Sequence, residues 1–174
     1  MMNHTVRYIL WFFLPAMVAN MAPVIATRFN LTPILNKPLD AKLMWRGQRL
    51  FGSHKTIRGL IWGVITGAIT AVIQYRITGW FGSVDAAVSL GALLGFGALT
   101  GDAIKSFFKR RWAIQPGSIW MPWDQIDFVI GAYLVTIWLK MVSPLDVFTA
   151  CVTIGVASYL VSAIAVELHI KAQL

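Results

Sequence analysis

Residues 84 to 108 read VDAAVSLGALLGFGALTGDAIKSFF, an apolar run that meets no charge between Asp85 and Asp102 and then admits Asp102 and Lys105 before it closes. About 18 or more residues with almost no charge are what a helix needs to cross ~30 Å of hydrocarbon. The stretch therefore predicts a membrane span with a charged end. Four more stretches pass or nearly pass the same test, at about 6–27, 57–80, 126–142 and 145–168. The shortest still reaches ~25 Å at ~1.5 Å per residue. Composition agrees: 57% of the 174 residues are apolar and only 13% charged, with a mean hydropathy of +0.68. These values exclude an ordinary soluble domain. The expectation is one all-α integral membrane domain over residues 1–174, with five transmembrane helices.

Lysine and arginine set its orientation. The loop at about 28–56 carries Arg28, Lys37, Lys42, Arg46, Arg49 and Lys55, and the loop at about 109–125 carries Lys109, Arg110 and Arg111, whereas residues 81–83 and 143–144 carry no basic residue. By the positive-inside rule both long loops face the cytoplasm, the N-terminus lies outside and the C-terminus inside. An anionic membrane surface or an anionic substrate accounts for the net charge of +8, so no nucleic-acid partner is needed. The first apolar run is too long for a signal-peptide core and lacks a small-x-small cleavage site, which predicts a retained helix. Cys151 has no partner for a disulfide or thiolate metal site and reads as packing.

Small residues predict how the helices meet. Gly59, Gly63 and Gly67, then Gly91 and Gly95, then Gly97 and Gly101 recur every fourth residue, placing small residues on one helix face for close backbone approach. A homodimer contact through one such face stays open. Pro15 and Pro23 each free a carbonyl in the first span, which lipid tolerates only where protein or a watered cavity supplies a partner. Asn20, between them, suggests a polar pocket there.

The unusual charges lie in residues 101–127, GDAIKSFFKRRWAIQPGSIWMPWDQID, which hold Asp102, Asp124 and Asp127 among the chain's seven acids. Counting ~1.5 Å per residue from Val84 puts Asp102 about 27 Å along its span, near the inner interface. Lys105 follows one turn later on the same face and could simply neutralise it. Ser106, Lys109 and Arg110 continue that helix and offer a hydroxyl and two cations to an anion. Asp124 and Asp127 open the fourth span on one side of its first turn. Helix capping explains one carboxylate. Two facing a third repel unless a cation sits between them, and hard oxygen donors beside phosphate suggest Mg2+. In the first loop, GQRLFGSHKTIRG at 47–59 places glycines, Lys55, Thr56 and Arg58 just before a helix start, the composition of an anion cradle without Walker spacing. Trp112, Trp120 and Trp123 are expected at the inner interface and Trp80 at the outer one.

Gly101-Asp102, Ser106-x-x-Lys109-Arg110, Pro116-Gly117 and Asp124-Gln125-Ile126-Asp127, with Lys55-Thr56-x-Arg58-Gly59 upstream, resemble the signature of the membrane CTP:phosphatidate cytidylyltransferases, the CDP-diacylglycerol synthases. The bacterial pattern has a Gly-His-Gly-Gly run after the proline and Asp-Arg where this chain has Asp124-Gln125. The small size and the Asp-Gln-x-Asp ending are more similar to the archaeal branch, CDP-archaeol synthase. That resemblance implies a multi-pass cell-membrane enzyme with its active site facing the cytoplasm. It would convert 2,3-bis-O-(geranylgeranyl)-sn-glycerol 1-phosphate and CTP to a CDP-lipid and pyrophosphate. It further implies that Asp102, Asp124 and Asp127 hold one or two cations, Mg2+ first, and that Lys55, Arg58, Lys105, Lys109 and Arg110 bind phosphate oxygens. Thr56 and Ser106 would donate hydrogen bonds, and Asn20 and Pro23 would shape the cytidine pocket. The alternatives are a CDP-diacylglycerol synthase acting on ester-linked phosphatidate, or a small transporter. A transporter would place its charges near midplane between repeated halves, and no duplication is visible. His4, His54 and His169 form no phosphatase pattern, and the Asp array of a CDP-alcohol transferase is absent.

Overall fold

A proline in a membrane helix must have its orphaned carbonyl answered, and here the answer defines the packing. In the computed structural model, which describes residues 4–115, 118 and 120–167 (for His4 and 161–167 the backbone alone), α1 (His4–Arg28) runs through both Pro15 and Pro23. The carbonyl of Trp11, which Pro15 cannot bond, accepts from Gln74 Nε2 at 2.7 Å, and Gln74 is 1% exposed. Of the two sources expected from sequence, protein or a watered cavity, it is a protein side chain that supplies this partner. Pro23 packs on Gly59, where an added Cβ would lie 3.1 Å from the proline Cβ.

Among the described residues the remaining helices are α2 (Ile57–Thr78), α3 (Val84–Arg111), α4 (Trp123–Thr136) and α5 (Pro144–Glu167), with a short hairpin, β1 (Met44–Trp45) and β2 (Gln48–Arg49), in the first loop. Thr56 caps α2 by accepting from Gly59 N–H at 3.1 Å, and Gly79, at φ +69°, ends it with its N–H on the Tyr75 carbonyl at 2.8 Å. Ser83 then caps α3, so α2 and α3 are antiparallel neighbours joined by a tight turn.

α2 shows what solvent this bundle is built for. Its inner face is Gly59, Gly63, Gly67, Ala71 and Gln74, and its outer face is Ile61, Ile65, Ile69, Ile73 and Ile77, all exposed. Large side chains outside and small ones inside invert the soluble pattern and suit a lipid-facing helix, whose contacts with neighbours come from close backbone approach. A Cβ on Gly67 would fall 2.5 Å from the Gly91 carbonyl oxygen, and one on Gly95 2.6 Å from that of Gly63. On the opposite side of α3, Gly97 and Gly101 meet Gly131 of α4; a Cβ on Gly101 would lie 3.0 Å from the Gly131 Cα and closer still to the Asp127 carbonyl oxygen. The glycine repeats are seams within one chain.

α1, α2 and α3 are each long and apolar enough to cross a membrane. α4 is shorter than its apolar run suggests: it starts at Trp123, ends at Thr136 and passes into a 3-10 turn at Ile137–Leu139. Ile9, Phe12, Phe13, Leu94, Val129 and Ile154 from four helices form the shared core. At one end of the bundle Tyr8 Oη donates to the Met141 carbonyl at 2.6 Å and packs edge-on to Trp80 at 5.5 Å. The C-terminal end of α3, the N-terminal end of α4 and the hairpin loop meet at the other.

Candidate functional site at the α3–α4 end

Gly101 lets α4 approach so closely that Asp127, at the start of α4, stands beside Asp102 and Lys105 on α3. The Lys105 ammonium is the centre of the resulting group. Its Nζ lies 3.2 Å from Asp102 Oδ1, 2.8 Å from Asp124 Oδ1 and 2.6 Å from Asp127 Oδ2. Lys55 closes on Asp102 Oδ2 from the first loop, and Lys109 holds both Asp124 oxygens at 3.1 and 3.0 Å while donating to the Ser118 carbonyl at 2.6 Å. Three carboxylates and three ammonium groups thus balance in a largely buried cluster, where unpaired charge is costly.

The intrahelical Asp102–Lys105 pair expected from spacing is present, but it is one contact of three. Asp124 is not an N-cap: Pro122 precedes the helix without a side-chain cap, and Asp124 Oδ2 instead accepts from Trp120 N–H at 2.6 Å. Asp127 Oδ1 accepts from Phe128 N–H at 2.7 Å, and its buried Oδ2 is held against the Lys105 ammonium at 2.6 Å. The hard carboxylate oxygens suit a divalent cation by donor type. Their arrangement differs from a ready cage: the carboxylates converge on the Lys105 ammonium, and among the described residues no group of three acid, His or Cys side chains is disposed to hold a metal.

Two cavities meet here. A polar one of about 130 Å³ is lined by Gly52, His54, Lys55, Asp102, Ser106 and Arg110, with Lys105 and Lys109 at its wall. An apolar one of about 460 Å³ opens between α3 and α4, lined by Ile104, Phe108, Trp112, Trp123, Leu134 and Trp138. Lys105 lines both. Trp112, Trp120 and Trp123 form a chain of aromatic contacts at 4.9 and 5.9 Å on the apolar wall, so these residues shape a groove.

Lys55, Asp102, Lys105, Ser106, Lys109, Arg110, Asp124 and Asp127 are therefore brought together. Four other residues named from sequence are not among the lining of these cavities. Arg58 is 3% exposed and turned to the end of α1, its guanidinium 3.2 Å from both Asn30 Oδ1 and Thr27 Oγ1. Thr56 is engaged as the α2 cap, Pro23 packs on Gly59, and Asn20 sits half-buried in α1. Ser106 lines the polar cavity, and its Oγ donates its hydrogen to the Asp102 carbonyl at 2.8 Å. Pro116 and Gly117 lie outside the described residues.

Sequence reasoning missed Asp40, the sole acid among the basic residues of the first loop. Its carboxylate is 2% exposed and receives Arg49 Nη2 at 2.5 Å and the N–H groups of Lys42, Phe51 and Gly52 at 3.0, 3.2 and 3.3 Å. Burial alone would raise this carboxyl; the Arg49 hydrogen bond and the backbone donors outweigh it and hold it below the usual carboxylate range.

A family profile described as "CarS-like: CDP-archaeol synthase" matches residues 2–173. A protein of Thermococcus kodakarensis described as CDP-archaeol synthase is 40% identical over 76% of this chain and 75% of its own length. One of Pyrococcus abyssi with the same description is 34% identical over 92% and 93%. A solved structure described as an intramembrane enzyme for archaeal membrane lipids biosynthesis superposes with a TM-score of 0.76 at 31% identity, covering 89% of this chain and 92% of that one.

Proposed function

The chain belongs to the CarS-like family of CDP-archaeol synthases, and on that footing we propose that this multi-pass membrane enzyme transfers the cytidylyl group of CTP to the phosphate of 2,3-bis-O-(geranylgeranyl)-sn-glycerol 1-phosphate. The observation that carries the reading is Lys105, shared by a polar cavity walled with cations and an apolar groove between helices. A water-soluble polyanion and a lipid phosphate have different routes in, and the two routes touch at one ammonium group.

A lipid phosphate oxygen attacks the α-phosphorus of CTP; the new P–O bond forms as the bond to the β-phosphate bridge breaks, and pyrophosphate leaves. The nucleophile is already anionic near neutral pH, so no strong general base is required. The work is to hold two polyanions in line against their repulsion. Lys55, Lys109 and Arg110 face the polar cavity and suit the triphosphate. Lys105, held by three carboxylates, can lend its charge to the reacting phosphates as these displace carboxylate partners. Mg2+, when bound, would screen phosphate charge and polarise the α-phosphoryl group, and Asp102, Asp124 and Asp127 are the side chains that would hold it. Trp112, Trp123 and Trp138 line the groove suited to a polyprenyl chain.

The chain is read with α4 and α5 as further spans, with the site on the cytoplasmic side, where CTP resides and where the basic loops belong. Enzyme in ether-lipid vesicles, given CTP, Mg2+ and the geranylgeranyl phosphate, is expected to form CDP-lipid and pyrophosphate in equal amounts and to stop on chelation. No product with both substrates present would refute the reading, chelator-insensitive synthesis would remove Mg2+ from it, and a faster reaction with ester-linked diacyl phosphate would reassign the lipid. In sealed inverted membranes the reaction should run on CTP added outside; a requirement for right-side-out membranes would reverse the orientation.

A further inference from the structure

Asp40 is buried where a carboxylate is expensive, yet it is not itself a lining residue of either cavity. Its four donors show what it holds. Oδ1 takes Arg49 Nη2 and Lys42 N–H, and Oδ2 takes the N–H groups of Phe51 and Gly52, which line the polar cavity. Gly52 stands at φ +93°, a conformation open to glycine, and an added Cβ there would lie 3.9 Å from Arg110 Nε. Three residues on, Lys55 reaches Asp102. The strand segment that includes Arg49 is fastened to α3 as well: Arg111 donates to the Trp45 carbonyl at 2.6 Å and the Arg49 carbonyl at 3.1 Å, with its guanidinium 4.9 Å over the Phe107 ring. Asp40 and Arg111 therefore both hold the hairpin at Arg49, one tying it to the cavity wall and the other to the helix that carries Asp102, Lys105 and Lys109.

We infer that Asp40 is a positioning residue for the nucleotide: through Arg49, Phe51 and Gly52 it sets the loop that brings Lys55 and the Gly52 backbone against Arg110, and so fixes the triphosphate side of the site without shaping the lipid groove. This rests on the nucleotidyltransfer reading above. The two substrates make the claim testable, because the contacts of Asp40 lie on the polar cavity, whereas the apolar groove is built from α3 and α4.

The experiment is Asp40→Asn in the full-length enzyme, with KM for CTP and for the lipid phosphate measured separately beside the melting temperature. Asn turns one of the two oxygens into an NH2 and so leaves two of the four donors without an acceptor; this is expected to raise KM for CTP about tenfold, to leave KM for the lipid phosphate within about twofold, and to speed amide exchange across residues 50–56 while α2 and α3 stay protected. Equal losses on both substrates that track a lowered melting temperature would make Asp40 a fold residue only and overturn the inference, as would unchanged kinetics. If Asp40→Asn does not fold, Arg111→Lys, which keeps the charge but loses the fork across two carbonyls, must show the same selective rise for CTP. Wild-type enzyme that turns over no CTP would overturn both the reading and the inference; active wild type with an indistinguishable variant overturns the inference alone.

Discussion

Lys105 sits among Asp102, Asp124 and Asp127 because three carboxylates brought this close need a cation, and the lysine arrives from one turn along the same helix as the first of them. That pairing was half legible in sequence: Asp102 and Lys105 at i and i+3 announce an ion pair, but the convergence of α4 onto it depends on tertiary packing. Arg58 shows the opposite error. In a loop rich in phosphate-binding residue types it reads as a ligand, and only the fold reveals Asn30 and Thr27 as its partners. Asp40 carried a faint signal, a lone acid in a basic loop, with no spacing rule to interpret it. Asp127 is the residue whose charge is least replaceable, buried and with its Oδ2 against the Lys105 ammonium at 2.6 Å. Asp127→Asn keeps its volume and leaves Lys105 two carboxylates, so kcat is expected to fall at least ~100-fold with the melting temperature within ~3 °C of wild type. Turnover kinetics and a melting curve on one preparation check both; near-normal kcat would remove Asp127 from the reaction.

At the scale of elements, the glycine repeats were readable as packing faces because small residues every fourth position leave one helix surface bare. Which helix fills each face was not readable: Gly59, Gly63 and Gly67 receive α1 and α3, while Gly97 and Gly101 receive α4. The hairpin escaped notice because two-residue strands around Arg46 and Gly47 present no alternating pattern. Gly101 is where packing and chemistry are one fact, since its missing side chain admits the backbone of Asp127. Gly101→Ala must push α4 away from α3, costing about 1–3 kcal/mol as overpacking and drawing Asp127 off Lys105. Both a lowered melting temperature and at least ~10-fold slower turnover are expected. Gly79→Ala is its control: at φ +69° the alanine would be strained although the space around it is open, so about 1 kcal/mol of stability should be lost with turnover kept. Equal turnover losses in the two variants would argue that the seam acts through stability alone.

For the whole molecule, the apolar runs were legible because a bilayer demands length and hydrophobicity before any tertiary detail. The exposed isoleucine ridge of α2 and the glycine face behind it show that demand met in three dimensions. What no single run discloses is the joint between compartments: a groove open between α3 and α4, a polar cavity under the first loop, and Lys105 in the wall of each. A soluble nucleotide and a lipid can be joined at such a place without either leaving its own medium. The most direct test is Lys105→Arg, which keeps the charge that balances the carboxylates but replaces a compact ammonium with a planar fork that cannot centre one nitrogen among three acids. The account predicts a folded protein with an unchanged melting temperature whose kcat for CDP-lipid formation falls ~100-fold. A kcat within twofold of wild type at the same melting temperature would contradict it.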